Sequence, residues 1–405
     1  MGVCLAIGGV SAVVLPQAAI AQQKDKTVNP KVGAALQAAL AAGKNKQWDT
    51  ALAKVKEAEA EKKTAYEQFK INETLAYIYN GQQKYASLAA VYEKQLEAPQ
   101  FLTPEQSQSY PKIIAQIYFS AKDFPKAIEY SKRWLQDKPN DTEMLAMLGQ
   151  AYYMTKDNKQ CKDTLGTAIA AAERAGNKPV EGWLNTSQTC ASNLGDDTAV
   201  TQVYEKLCRY YPKSEYWQPY IKKISRDKSS DLASFHWYQL MDEVGALKEA
   251  DDYTNFAQMA MIDYGMPGES VRTLEEGFSK HVLGADEKKK MRHQNTLVKA
   301  KEAAVANKAS WPQLASEAES DATGQKNADL AMGYFGAEQY DQAIPQLEKA
   351  IKKGGAKEPA HVKMILGIAQ LKKGQRDSAR ATFKSVSSDP VLGKVATAWT
   401  LRSYN

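Results

Sequence analysis

Small and large residues recur along this chain at a spacing that suits paired helices. The run Leu148-Gly149-Gln150-Ala151-Tyr152 is followed by Cys161, Leu165 and Ala168. Upstream, Ala115, Tyr118, Ala127 and Pro139 keep the same rhythm; downstream, Ala331, Tyr334, Ala343, Leu347 and Ala350 keep it again. A period of about 34 residues built from helix pairs marks a helical repeat array. The first helix of each pair needs a small residue where the second crosses it. The second returns a small residue of its own, so the axes approach to about 8–10 Å. Apolar residues three and four positions on fall on the same face. One pair buries too little to fold alone, and its neighbours in the stack supply the missing core.

The small residue of each second helix serves as a marker: Ala51, Leu88, Ala127, Cys161, Ala199, Ala233, Ser270, Ala343 and Ala379. The widest gap, Ser270 to Ala343, is close to two periods, so one degenerate unit is expected there, with Trp311 and Leu314 on its second helix. Trp48, Tyr85, Phe124 and Tyr340 each stand three residues before a marker, where an aromatic closes the turn.

This pattern resembles the tetratricopeptide repeat (TPR) family over roughly residues 30–390, most sharply at 108–175 and 324–390. Leu88 and Ser270 depart from the usual alanine, Gln370 stands where an aromatic is usual, and Ser131 occupies an apolar site. The resemblance implies an all-α fold, a right-handed superhelical α-solenoid of about nine to ten helix-turn-helix units that touch only their neighbours. The expected organisation is a leader over 1–21, a flexible lead-in over 22–30 and an N-terminal array over 31–283. A degenerate helical unit over 284–322, a C-terminal repeat pair over 323–390 and a capping helix over 391–405 complete it.

The leader reads as an export signal. Residues 3–15 are apolar and small, and Ala19-Ile20-Ala21 offers a cleavage site that leaves Gln22 as the mature start, although no Lys or Arg precedes the apolar stretch. Export would place the mature chain in the periplasm or outside the cell. Beyond residue 21 no stretch approaches 18 apolar residues, so the mature chain is not expected to span a membrane. With 53 Lys+Arg against 47 Asp+Glu, the net charge of +6 is thin over 405 residues and does not suggest a nucleic-acid partner. Most of these charges read as a solvated outer face.

Catalytic patterns are missing from the sequence. His236, His281, His293 and His361 are scattered, with no His-Glu-x-x-His. His236, beside Trp237 and Tyr238, reads as packed on a helix. There is no phosphate loop, dinucleotide fingerprint or nucleophile elbow. Asp196-Asp197 and Asp251-Asp252 read as helix caps rather than metal ligands. The expectation is a non-enzymatic protein without metal or cofactor.

In TPR arrays the first helices line the inner groove. Projecting that face places Tyr77, Lys112, Gln116, Phe119, Gln150, Tyr153, Asn185 and Gln188 toward a protein or extended-peptide partner. Amide side chains both donate and accept, so Gln116, Gln150 and Gln188 could hold a peptide backbone while the aromatics give apolar contact. The function read from this is a scaffold or adaptor in the cell envelope. The alternative is an accessory subunit of envelope polysaccharide export or outer-membrane assembly, with Trp183, Trp217 and Trp237 as the candidates for glycan stacking.

Three cysteines remain after the leader, without a Cys-x-x-Cys. Cys161 opens one second helix and Cys190 closes the next first helix. Antiparallel neighbours would bring these ends together, so Cys161–Cys190 is the expected pairing if a disulfide forms. Cys208 would remain a buried thiol.

Overall fold

The computed structural model describes residues 26–225 and 230–405. The expected leader lies outside the described residues. The described residues divide into two compact units, one up to residue 177 and one from residue 178. Among the described residues there are helices and turns but no strand.

The first unit comprises α1 (Pro30–Lys44), α2 (Trp48–Ala60), α3 (Ala65–Gly81), α4 (Tyr85–Leu96), α5 (Pro104–Ser120), α6 (Phe124–Asp137), α7 (Thr142–Met154) and α8 (Asn158–Arg174). Consecutive helices pack as hairpins. Val32, Leu36 and Ala39 of α1 meet Ala51, Val55 and Ala58 of α2 and Ile71 and Ile78 of α3 in one buried cluster. Tyr110, Ile114, Ala115 and Tyr118 of α5 close on Ala127 and Tyr130 of α6 and Met144 of α7 in another.

The second unit comprises α9 (Glu181–Asn193), α10 (Asp197–Tyr210), α11 (Ser214–Ile224), α12 (Asp231–Glu243), α13 (Ala250–Gln258), α14 (Pro267–Ser279), α15 (Glu287–Ser320), α16 (Gln325–Gly336), α17 (Tyr340–Lys353), α18 (Pro359–Lys372), α19 (Arg376–Lys384) and α20 (Gly393–Arg402). Its core is aromatic: Trp217, Tyr220, Phe235, Tyr253, Phe256, Phe383 and Trp399 are among its largest fully buried side chains.

One joint recurs within the hairpins. In seven hairpins the first helix ends, one residue takes a left-handed conformation, and the next residue caps the second helix. The left-handed positions are Lys46, Gln83, Lys122, Lys156, Gly195, Glu338 and Gly374. The cap's N–H reaches back five residues: Asp123 N to Tyr118 O at 2.9 Å, Asp157 N to Tyr152 O at 2.9 Å, and Gln339 N to Tyr334 O at 2.8 Å. These bonds satisfy carbonyls that the end of a helix leaves unpaired. Four residues after each cap comes the marker, and Ala51, Ala127, Cys161, Ala343 and Ala379 are all fully buried.

The same rule corrects one marker. Asp196 caps α10 through Ala199 N at 3.0 Å, so the position four beyond it is Val200. Val200 is 4% exposed, whereas Ala199 is half-buried. The adjacent aspartates offer two cap registers, and the expected marker, Ala199, lies one residue before the observed one.

Close approach explains two glycines. A Cβ on Gly149 would lie 2.6 Å from Leu165 Cγ, where α8 crosses α7. A Cβ on Gly268 would lie 2.3 Å from the carbonyl oxygen of Gly336, so α14 and α16 nearly touch backbone to backbone.

That contact bears on the degenerate unit. In place of a hairpin with Trp311 and Leu314 on a second helix, α15 is one unbroken helix of 34 residues, about 51 Å long at 1.5 Å per residue. It contains no glycine to stop it, and its one proline, Pro312, lies well inside. The array continues past its side, because α14 packs directly on α16.

Contact between sequence neighbours alone does not hold in the second unit. Helix α20 packs on α10 and α12 as well as on α19. Asn405 Nδ2 donates to Cys208 O at 3.0 Å, Trp399 Nε1 to His236 O at 3.4 Å, and Arg402 to Glu243 at 2.9 Å. The last helix therefore folds back on helices some 160 to 200 residues earlier rather than only capping an open end. Apolar side chains drive the return: Val395, Ala396, Ala398 and Trp399 are all buried.

Among the described residues no helix is long and apolar enough to cross a membrane. The long α15 is rich in Lys and Glu.

Candidate functional site

In the first unit the expected site residues stand on α3, α5 and α7, the first helices of their hairpins. Tyr77 is 41% exposed and lies edge-on to Trp48 with centroids 6.4 Å apart. Tyr153 is 38% exposed at the end of α7, next to Met154 at 52%. Gln116 is exposed and Gln150 half-buried, and neither amide makes a side-chain hydrogen bond among the described residues. Phe119 is half-buried and packs edge-on against Phe124.

Lys112 is committed elsewhere. Its Nζ donates to Asp141 Oδ2 at 2.9 Å and lies 5.2 Å from the Trp134 ring centroid. Asp141 also accepts from Trp134 Nε1 at 2.9 Å and caps α7 through Met144 N at 3.0 Å. Burial raises the Asp141 pKa, but these bonds outweigh it and hold the carboxyl below its usual value. Lys112 thus ties α5 to the start of α7.

Asn185 and Gln188 stand on α9 in the second unit. Asn185 Nδ2 donates to Tyr216 Oη at 3.1 Å, and Gln188 Nε2 donates to Ser192 Oγ at 2.9 Å. Both amides already have partners. Of the tryptophans considered for glycan stacking, Trp217 is fully buried and Trp237 is 6% exposed; Trp183 is half-buried. The first two present no face to a ligand.

Cys208 is a buried free thiol, which burial pushes well above its usual pKa. Cys161 and Cys190 are fully buried, and each is disulfide-bonded.

The second unit holds a constellation that the sequence did not suggest. His236 on α12 and His361 on α18, 125 residues apart, bring Nε2 and Nδ1 within 3.0 Å. His236 Nδ1 lies 2.8 Å from Gln239 Oε1. Gln239 Nε2 lies 3.3 and 3.2 Å from the two carboxylate oxygens of Glu269. Arg272 follows, 3.6 Å from Glu269 and 2.8 Å from Asp242.

Burial dominates the electrostatics of this chain of groups. It lowers both histidines, His361 to about 4, with His361 further depressing His236. Burial raises Glu269 to about 7 against the pull of Arg272, and it raises Asp242 as well. The one sequence signal was the presence of His236 in an aromatic, apolar segment; nothing local pointed to its partner.

Asp252 behaves as a cap, accepting from Lys248 N and Glu249 N at 3.1 and 3.0 Å ahead of α13. Among the described residues no group of three or more His, Cys, Asp or Glu is placed to hold a metal ion.

Residues 328–390 match the family model of the tetratricopeptide repeat. Comparison with curated proteins gave no match. Among solved structures, a Naa15/Naa10 assembly bound to HypK-THB aligns over 96% of this chain at 16% identity and a TM-score of 0.32. The chain spans 63% of that protein's length. A tetratricopeptide repeat protein from Parabacteroides merdae aligns over 93% of this chain and all of its own, at 11% identity and a TM-score of 0.30. The TPR2AB domain of yeast Sti1, in its complex with pHSP90, covers 74% of this chain and all of its own, at 13% identity and a TM-score of 0.24. Likenesses at these scores carry no assignment. The repeat match covers residues 328–390, and the same hairpin joint recurs from α1 to α19. The described residues form an all-α array of helix hairpins, an α-solenoid, in which residues 328–390 are similar to the tetratricopeptide repeat.

Proposed function

We propose that the chain is a non-enzymatic scaffold that binds a protein or extended peptide along the first helices of its first unit. One observation carries this reading: Tyr77 and Tyr153 remain substantially exposed on α3 and α7, near helices that also offer the unpaired amides of Gln116 and Gln150. Exposed aromatic rings with free amides between them suit a peptide, whose backbone needs both donors and acceptors. Lys112, Asn185 and Gln188 drop out of the contact set, since each is spent on an internal bond.

The cell envelope is the proposed location, on the strength of the apolar leader and its Ala19-Ile20-Ala21 site. Intact-mass measurement of protein recovered from an envelope fraction tests this. A mature chain starting at Gln22 agrees; a chain retaining Met1 in the cytoplasm refutes it.

Binding is tested by affinity capture from a periplasmic extract with wild-type protein and with a Gln150→Ala, Tyr153→Ala double variant. Both side chains reach the surface, so the variant should keep its melting temperature and lose the captured partner. Equal capture by the two proteins would remove this face as the site.

A further inference from the structure

A cleft of about 420 Å³ opens in the second unit, apart from the face proposed above. Its wall includes Asp263, Tyr264, Asn307, Asp329, Glu358 and His361. A π-helical turn, Met259–Asp263, brings α13 to its edge and delivers Asp263 and Tyr264 there. Such turns are frequent at functional sites because they displace side chains from the regular helical register.

The hydrogen-bond chain behind this wall fixes what His361 offers. With Glu269 ionised, Gln239 must turn its amide nitrogen toward the two carboxylate oxygens, leaving Oε1 to His236. His236 Nδ1 therefore carries a proton and donates, and its Nε2 is a lone pair. His361 Nδ1, 3.0 Å away, must supply the proton of the shared bond. What remains is His361 Nε2, an acceptor without a partner among the described residues. The side chain that carries it is only 7% exposed and lines the cleft.

The rest of the wall is also rich in acceptors. Asp263, Asp329 and Glu358 bring three carboxyl groups to the wall against one ammonium group, that of Lys357. Gln325 is spent at both ends, donating to Asp329 at 2.7 Å and accepting from Lys357 N at 2.8 Å. Asn307 Oδ1 accepts from Trp311 Nε1 at 3.0 Å. The remaining side-chain donors are the Asn307 amide, the Lys357 ammonium and the Tyr264 hydroxyl. The Tyr264 phenol is pushed up to about 12, by burial first and then by Asp263, Asp231 and Glu358, which marks the negative potential around it.

We propose that this cleft binds an organic cation bearing N–H donors, a guanidinium or primary ammonium group, which donates to His361 Nε2 while Asp263 and Glu358 balance its charge. The volume suits one long side chain or a small free amine. A planar guanidinium can serve a carboxylate and a ring nitrogen together.

Titration calorimetry on the full mature chain at about pH 8, above the titration of Glu269, tests the proposal. The probes are N-acetyl-arginine amide, agmatine, and N-acetyl-citrulline amide as the uncharged counterpart. The two cations should bind with one site, and the citrulline compound at least roughly tenfold more weakly, since charge-assisted bonds are about twice as strong as neutral ones. Tighter binding of the arginine amide would point to a side chain within a polypeptide; equal or tighter binding of agmatine would point to a free amine. Both results support the site. Asp263→Asn with Glu358→Gln should lower the cation affinity by roughly tenfold or more. Both carboxylates are exposed, so a melting curve like that of wild type is expected to confirm the fold. Nitrogen NMR of the histidine rings should show His361 Nε2 shifting on addition of the arginine amide. Absence of binding, equal affinity for arginine and citrulline amides, unchanged affinity in the double variant, or an unmoved Nε2 signal would each overturn the proposal.

Discussion

His361 Nδ1 lies 3.0 Å from His236 Nε2, and the two buried rings share one hydrogen bond with neither ring charged. The arrangement has a consequence for stability against pH. An unfolded histidine takes up a proton near 6.5, whereas His361 in the fold resists until about 4. Between those values the unfolded chain binds more protons, so the histidine contribution is full above about 6.5 and is lost as pH falls toward 4. Glu269 acts in the opposite sense. Its pKa rises to about 7 in the fold, so between about 4.5 and 7 it favours the folded state as pH falls. Glu269→Gln removes that opposition, and urea unfolding should show the variant losing roughly 2–3 kcal/mol more than wild type between about pH 7 and about pH 5. His361→Asn should lose roughly 2 kcal/mol less than wild type over the same interval. Parallel pH profiles for all three proteins would contradict the assignment.

The left-handed joint should tolerate glycine better than its present occupants. Lys122 and Lys156 hold φ values of 64° and 63°, a conformation that costs a side-chain-bearing residue about 1–2 kcal/mol. Lys122→Gly and Lys156→Gly should each raise stability by roughly 0.5–1 kcal/mol, after the added freedom of the unfolded chain is subtracted. Denaturant midpoints check this. A lower midpoint in both variants would show that the lysine side chains matter more than the backbone angle.

Helix crossings should resist enlargement. Ala127 is fully buried beneath α5, and Ala127→Leu is expected to cost about 1–3 kcal/mol by overpacking. Gly268→Ala should be costlier than a surface glycine change, because its new Cβ meets the main-chain oxygen of Gly336 rather than a side chain that can turn away. Thermal melting that leaves both variants at the wild-type temperature would refute the close-packed crossings.

Thiol counting under denaturing, non-reducing conditions should find one reactive group in the mature chain, Cys208. Three reactive thiols would reject a Cys161–Cys190 bridge. Peptide mapping before reduction would identify the partners directly.

The periodic part of the fold was legible because its cause is local. Ala51, Ala127 and Ala343 must be small where two helices cross, and Trp48, Phe124 and Tyr340 open the second helix, so spacing alone exposes the hairpins. The marker at Val200 escaped because Asp196 and Asp197 offer two equally good caps one residue apart. The long α15 is not legible from a regular period, although the lack of glycine between Gly284 and Gly324 is a sign of it. For the expected contact residues, the projection placed Tyr77, Gln116 and Tyr153 on exposed helix surface. It could not show that Lys112 would be taken by Asp141, 29 residues on. The cleft was beyond reach for the same reason. Asp263, Asn307, Asp329 and His361 are separated by tens of residues, and only the folding of the second unit brings them to one wall.

The return of α20 changes how the second unit can come apart. A linear repeat stack frays from a free end, each hairpin peeling away for the cost of one interface. Here the last helix is fastened to α10 and α12 by Asn405, Trp399 and Arg402. Neither α20 nor the helices it grips can leave without exposing apolar surface at both ends of a long stretch of chain. Peeling gives way to cooperative melting, and a nick or truncation near residue 400 would loosen helices that lie nearly half the sequence away.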